Sequence, residues 1–95
     1  MTVSWTESAL ADLQVIDAYI ARNSPRYARS MIERIVARVE WEATYPGLGP
    51  VVREYSDETL REVFEAPYRI IYRIQEDSIG IVAVIHGARR LPSGL

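Results

Sequence analysis

An α+β domain is what this sequence predicts: an N-terminal strand, then an α-helical hairpin packed on a C-terminal antiparallel sheet, in the order β-α-α-β-β-β. Three observations predict it. Residues 68–74 (Tyr-Arg-Ile-Ile-Tyr-Arg-Ile) and 79–86 are rich in β-branched and aromatic side chains and flank the turn-like Gln75-Glu76-Asp77-Ser78, the pattern of an antiparallel hairpin. Between residues 6 and 44 apolar side chains recur at helical spacing, interrupted once by Asn23-Ser24-Pro25. Two helices joined by so short a break fold back on one another, and their shared apolar surface needs a sheet to cover.

Taken in order, Val3-Ser4-Trp5 forms a short apolar edge strand. Thr6 suits a helix N-cap, with Glu7 in the first turn near the positive end of the dipole. Ala9, Leu13, Ile16 and Ile20, flanked by Leu10 and Asp17, then mark an amphipathic helix to about Arg22. Ser24 is a good N-cap and Pro25 a good first residue for the second helix, over residues 25–44. Its buried stripe is Ala28, Ile32, Ile35 and Val39. Arg26, Glu33, Arg34, Arg38 and Glu42 form a solvated side on which Arg38 and Glu42 pair. Tyr45-Pro46-Gly47-Leu48-Gly49-Pro50 ends the helix. Residues 51–59 are mixed in pattern, with room for one short strand and a loop, and residues 60–64 read as a strand turning at Ala66-Pro67. That turn sets Glu62 opposite Ile71. A three-residue turn would instead aim an unpaired carboxylate at the core.

With Glu76-Asp77 as the hairpin loop, Gln75 faces Ser78 and opposed residues share a face. Tyr68, Ile70, Tyr72 and Ile74 then join Ile79, Ile81, Ala83 and Ile85 on an apolar core face. Arg69, Ile71 and Arg73 join Val82, Val84 and His86 on the other, and this mixture of cations and aliphatics suits a partner surface. After His86, Gly87 permits a sharp exit into a basic tail, Ala88-Arg89-Arg90-Leu91-Pro92.

Composition bounds the function. The chain reads as a single domain over residues 1–95, with 48% apolar and 25% charged residues, an ordinary globular balance. It has no cysteine, which excludes disulfide and thiolate chemistry and suits a reducing cytoplasm. With one histidine besides, neither a metal site nor a cofactor is expected. No apolar run reaches membrane-spanning length, and the opening lacks a signal-peptide pattern. A net charge of −2 argues against indiscriminate nucleic-acid binding, and no sequence-specific contact with nucleic acid is expected. All 11 basic residues are arginine. Arginine forks onto carboxylates and phosphates, which suits recognition, although a GC-rich genome would give the same bias.

The whole pattern resembles the ParE/RelE superfamily, the small toxins of bacterial type II toxin–antitoxin modules. The resemblance rests on Trp5-Thr6-Glu7-Ser8-Ala9 with Asp12-Leu13, Ser24-Pro25, Tyr45-Pro46-Gly47-Leu48-Gly49, Leu60-Arg61-Glu62, Tyr68-Arg69-Ile70-Ile71-Tyr72-Arg73, and Val84-Ile85-His86-Gly87-Ala88-Arg89-Arg90. It spans nearly the whole chain and implies the same RelE/ParE-like fold. It also implies a cognate antitoxin as partner, in a hetero-oligomer, and one of two activities. RelE-like members resemble ribosome-dependent, metal-free endoribonucleases; ParE-like members poison DNA gyrase by binding it.

In-line cleavage through a 2′-hydroxyl needs a base, an acid and cations around the phosphorane. On that reading Arg69, His86 and Arg89 would be the catalytic set. The expected lysines are missing, however, Glu62 stands where one belongs, and no tyrosine follows Tyr72. A carboxylate there repels RNA and pairs with Arg69 or Arg73. The ParE-like branch is therefore the reading, with gyrase as target and no chemistry performed by this chain. Arg61, Arg69, Ile71, Arg73, Val82, Val84, His86, Arg89 and Arg90 are the expected contacts to antitoxin or target. A toxin-fold protein that has lost toxicity and only binds its antitoxin is the third possibility. His86 has a purely local alternative, capping the chain exit at Gly87.

Overall fold

A computed structural model describes residues 1–91 and has the expected element order. Strand β1 (Thr2–Trp5) leads into helices α1 (Glu7–Ala21) and α2 (Pro25–Thr44) and a 3₁₀ turn at Pro46–Leu48. Strands β2 (Leu60–Glu65), β3 (Tyr68–Ile74) and β4 (Ser78–His86) follow. Local chemistry sets the helix starts: the Thr6 hydroxyl accepts from the Ala9 N–H at 3.0 Å and the Ser24 hydroxyl from the Tyr27 N–H at 3.1 Å. The sheet runs β1-β4-β3-β2. β2, β3 and β4 are antiparallel, while β1 joins the edge parallel to β4, with Thr2 opposite Ser78 and Trp5 opposite Ile81. Among the described residues no helix is long and apolar enough to cross a membrane.

The helical hairpin covers one sheet face. Its core joins Ala9, Ile16, Met31, Ile35 and Val39 to Ile70, Tyr72, Ile79 and Ile81. Glu62 lies opposite Ile71, as the two-residue turn at Ala66-Pro67 requires.

Three expectations are corrected. The first concerns β4. The hairpin begins in the expected register, with Ile74 opposite Ile79 and Tyr72 opposite Ile81, but Ile71 then pairs with Ala83, leaving Val82 as an extra residue in a bulge. One extra residue inverts every later side chain. Val84 and His86 therefore turn to the helix side, opposite Ile70 and Tyr68, while Ala83 and Ile85 join Ile71 and Arg69 on the other face.

The second concerns that other face, which is not open. Val52 is folded over it and forms a smaller core with Leu60, Ile71 and Ala83, edged by Tyr55, Val82, Ile85 and Leu91. The segment is stitched to β2 by backbone bonds from the Val52 N–H to the Leu60 carbonyl and from the Glu62 N–H to the Pro50 carbonyl. A single bridge, Val51 to Arg61, is the only regular pairing shown for residues 51–59.

The third is Glu42. It is buried instead of solvated, and its carboxylate lies 3.4 Å from the Tyr72 hydroxyl. Arg38 reaches the Phe64 carbonyl at 3.3 Å. Position 42 lies between Val39 and Ala43 on the sheet-facing side of α2, so its burial follows from helix geometry. Pro92, the end of the expected basic tail, lies outside the described residues.

Candidate functional site

The two faces of the β3–β4 hairpin hold different chemistry. On the covered face, Arg69 projects from β3 between two carboxylates. Its Nε and one terminal nitrogen donate to Glu62 at 3.0 and 2.7 Å, and both terminal nitrogens reach Glu54 at 2.9 and 3.2 Å. Arg69 is 9% and Glu62 5% exposed, so this is a buried, doubly forked ion cluster. Hydrogen bonds to Glu54 and then Glu62 hold the guanidinium above its ordinary pKa, and the same contact holds the Glu54 carboxyl below the usual carboxylate range. Nearby, Arg73 donates to Asp57 at 2.7 Å. Bonds from Thr59, then from Arg73, draw the Asp57 pKa down to about 2. Two arginines of β3 thus clamp the acidic segment of residues 54–57 over the sheet.

On the helix face, the ends of β3 and β4 meet α1 in an open groove of about 580 Å³. Tyr68, Val84 and His86 contribute from the sheet, Val15 and Tyr19 from α1, and Arg89 from the chain exit. The bulge puts Val84 and His86 there. Val15 and Tyr19 are each 67% exposed despite facing an apolar wall. Asp12 anchors the rim, where its carboxylate accepts from the Val84 N–H at 2.9 Å. Tyr68 packs edge-on against the His86 ring, centroids 5.8 Å apart, and its burial raises its hydroxyl pKa. His86 Nδ1 accepts from the Ala88 N–H at 3.2 Å, which leaves Nε2 to carry the proton of the neutral ring. His86 therefore does cap the exit. The groove offers aromatic and aliphatic walls with a cation at one end, a place for an amphipathic chain segment.

The candidate nuclease residues are not brought together. Arg69 points to the covered face, where its donors are engaged by Glu62 and Glu54, whereas His86 and Arg89 line the groove on the opposite side of the sheet. Among the described residues, no group of three or more His, Asp or Glu side chains is placed to hold a metal ion.

The family profile described as the ParE toxin of the type II toxin–antitoxin system parDE matches residues 3–91. The chain belongs to the ParE toxin family. A curated relative, Toxin RelE2 of Caulobacter vibrioides, is 39% identical over 88 residues, covering 92% of this chain and 96% of that protein. Among solved structures, the chromosomal ParDE system of P. aeruginosa superposes with a TM-score of 0.70 at 24% identity, over 90% of this chain and 95% of that one. The YoeB/ParE toxin of Agrobacterium tumefaciens gives 0.63 at 17% identity, over 90% and 98%. At those identities the two structures show the shared fold.

A ParE toxin is one half of a toxin–antitoxin pair, so a cognate antitoxin is implied. Of the expected contact residues, the structure gathers Val84, His86 and Arg89 in the groove. Arg90 is exposed beside them in sequence, Arg69 and Ile71 are buried, Arg73 is engaged by Asp57, and Val82 edges the smaller core. Arg61 lies apart, donating to the Gly47 and Gly49 carbonyls at 3.2 and 3.0 Å. The sequence reading missed Tyr19, Val15 and Asp12, whose i, i+3, i+7 spacing puts them on one side of α1. It also missed Glu54 and Asp57; acidic residues preceding an arginine-bearing strand are a usable signal for a clamp.

Proposed function

We propose that this ParE toxin acts by binding and not by cleavage, that DNA gyrase is its target, and that its antitoxin neutralises it through the groove beside α1. One observation carries this reading: the arginine expected to hold a scissile phosphate is occupied by two carboxylates, across the sheet from His86. Drawing RNA into contact with Arg69 would mean displacing Glu54 and leaving the buried Glu62 beside a phosphate, an arrangement of like charges.

The antitoxin segment suited to the groove is amphipathic. Apolar side chains would sit between Tyr19, Tyr68 and Val84, and carboxylates would reach Arg89 and Arg90. Arg69, Arg73, Ile71 and Val82 contribute indirectly, by fixing the sheet whose end forms the wall. His86 and Arg89 do share the groove, so the endoribonuclease reading reduces to those two residues. Purified toxin added to a gyrase supercoiling reaction should inhibit it, and messages on ribosomes after induction should stay intact. Untouched supercoiling with messages cut at ribosomes would replace this reading with the nuclease. Strong expression that leaves growth unaffected would point to a partner-binding protein without toxicity.

A further inference from the structure

The flank of α2 that borders β2, where Arg38 reaches the Phe64 carbonyl and Arg34 the Glu65 carboxylate, carries Arg34, Arg38 and Trp41, and Tyr45 follows at the helix cap. Offsets of four and three residues align Arg34, Arg38 and Trp41 in one stripe, about 10 Å long at the helical rise. Leu48 of the 3₁₀ turn extends it. Trp41 is 50%, Tyr45 52% and Leu48 71% exposed, and the two rings pack on each other with centroids 5.5 Å apart. Isolated exposed apolar residues are ordinary, but a ridge of the packed Trp41–Tyr45 pair, with exposed Leu48 bonded through its N–H to the Tyr45 carbonyl at 3.1 Å and arginines alongside, has the composition of a protein-binding hot spot.

The ridge is also held rigidly from beneath. The buried Tyr72 hydroxyl donates to the Pro46 carbonyl at 2.7 Å and lies beside the Glu42 carboxylate. Burial, then the Glu42 charge, raises the Tyr72 pKa to about 12, so the donor keeps its proton at neutral pH. Arg61 ties the same turn down through the Gly47 and Gly49 carbonyls, its Nε being held by the Glu58 carbonyl. Fixing exposed side chains before contact lowers the entropic cost of binding.

Charge narrows the partner. Arg34 is paired with Glu65 at 3.4 Å, but the hydrogen bonds from Arg38 and Arg61 go to neutral carbonyl oxygens, so these two cations flank the ridge on a chain whose net charge is −2. We propose that the Trp41–Tyr45–Leu48 ridge is a second docking surface, which seats a folded protein presenting an apolar socket rimmed by carboxylates, and that this protein is the toxin's cellular target. The proposal rests on the binding-toxin reading above. It adds that target and antitoxin contact different sides of the molecule, since ridge and groove share no residue.

The test compares wild type with Trp41→Ala/Leu48→Ser and, separately, Arg38→Glu. Each is titrated with purified antitoxin and purified gyrase and induced in cells. Both variants should bind antitoxin within about twofold of wild type, while gyrase binding weakens about thirtyfold or more and growth arrest is lost. Full toxicity in the variants overturns the proposal. So does loss of antitoxin affinity, which would place the ridge in the antitoxin interface. Loss of self-association by sedimentation with gyrase binding intact would make the occupant a second copy of the chain; loss of binding to a single-stranded RNA oligomer alone would make it nucleic acid. Either overturns the proposal. If wild type arrests growth without touching gyrase, the target named above is wrong, and the ridge stands or falls on whether the variants lose that arrest.

Discussion

Replacing Arg69 with methionine removes the cation from a cluster in which Glu62 is 5% exposed and accepts two of its bonds, at 2.7 and 3.0 Å. Methionine fills much of the volume, so the loss is electrostatic: a buried carboxylate left without its partner. Breaking a buried pair in this way costs about 3–5 kcal/mol. A domain of this size has a total stability on the order of 5–15 kcal/mol, so Arg69→Met should be near the limit of folding. At about 4–8 °C per kcal/mol, its melting temperature should fall by roughly 12–40 °C. The double variant Arg69→Met/Glu62→Leu removes the orphaned charge as well and should return to within about 1–2 kcal/mol of wild type, because an apolar pair replaces an ion pair at little net cost. Urea unfolding followed by circular dichroism on the four corners of the cycle measures the coupling directly. The reasoning is refuted if Arg69→Met unfolds within about 1 kcal/mol of wild type yet loses toxicity, since Arg69 would then serve contact or chemistry in place of structure.

Two further outcomes test the supports of the fold. A Cβ at Gly49 would meet the Tyr72 hydroxyl and the Glu62 carbonyl, whereas one at Gly47 would meet nothing. Thermal melts should therefore show Gly49→Ala destabilised by about 1–3 kcal/mol and Gly47→Ala within about 0.5 kcal/mol of wild type. Asp57, with its pKa drawn from 3.8 down to about 2, favours the folded state above the ordinary value, and that contribution is lost as pH falls through about 2. The urea midpoint should accordingly drop more steeply between pH 4 and pH 2 for wild type than for Asp57→Asn.

The helices were legible because their signals are local. Thr6 and Ser24-Pro25 announce both starts, and the apolar spacing alone orients the stripes. The β2–β3 register was legible from a physical penalty, since only one turn length keeps Glu62 away from the helix-side core. The bulge was not. Residues 79–85 are apolar at both parities apart from Gly80, so a one-residue slip exchanges one greasy side chain for another and leaves no trace in the pattern. The same run held an unread clue. A strand apolar on both sides is a strand buried on both sides, and Ile71 with Val82 pointed to a cover over the second face. The place of Glu42 between Val39 and Ala43 on the sheet-facing side is legible from helical spacing, whereas the hydroxyl beside its carboxylate, that of Tyr72, comes from a distant strand. The groove leaves no mark in the sequence for a related cause: α1 and the end of β4 meet only in three dimensions, and only after the bulge has turned Val84 and His86 around.

β1 comes before every other element, yet its partner in the sheet is β4, the element that follows all the rest. During synthesis the opening strand thus waits, unmatched, until almost the whole domain has left the ribosome. β4 is bonded on one side to β1 and on the other to β3, so any translation product that stops short of it lacks the strand that joins β1 to the rest of the sheet. A product that ends before β4 would keep both helices and the β2–β3 hairpin but lack the Val84 and His86 wall of the groove and the strand that β1 pairs with.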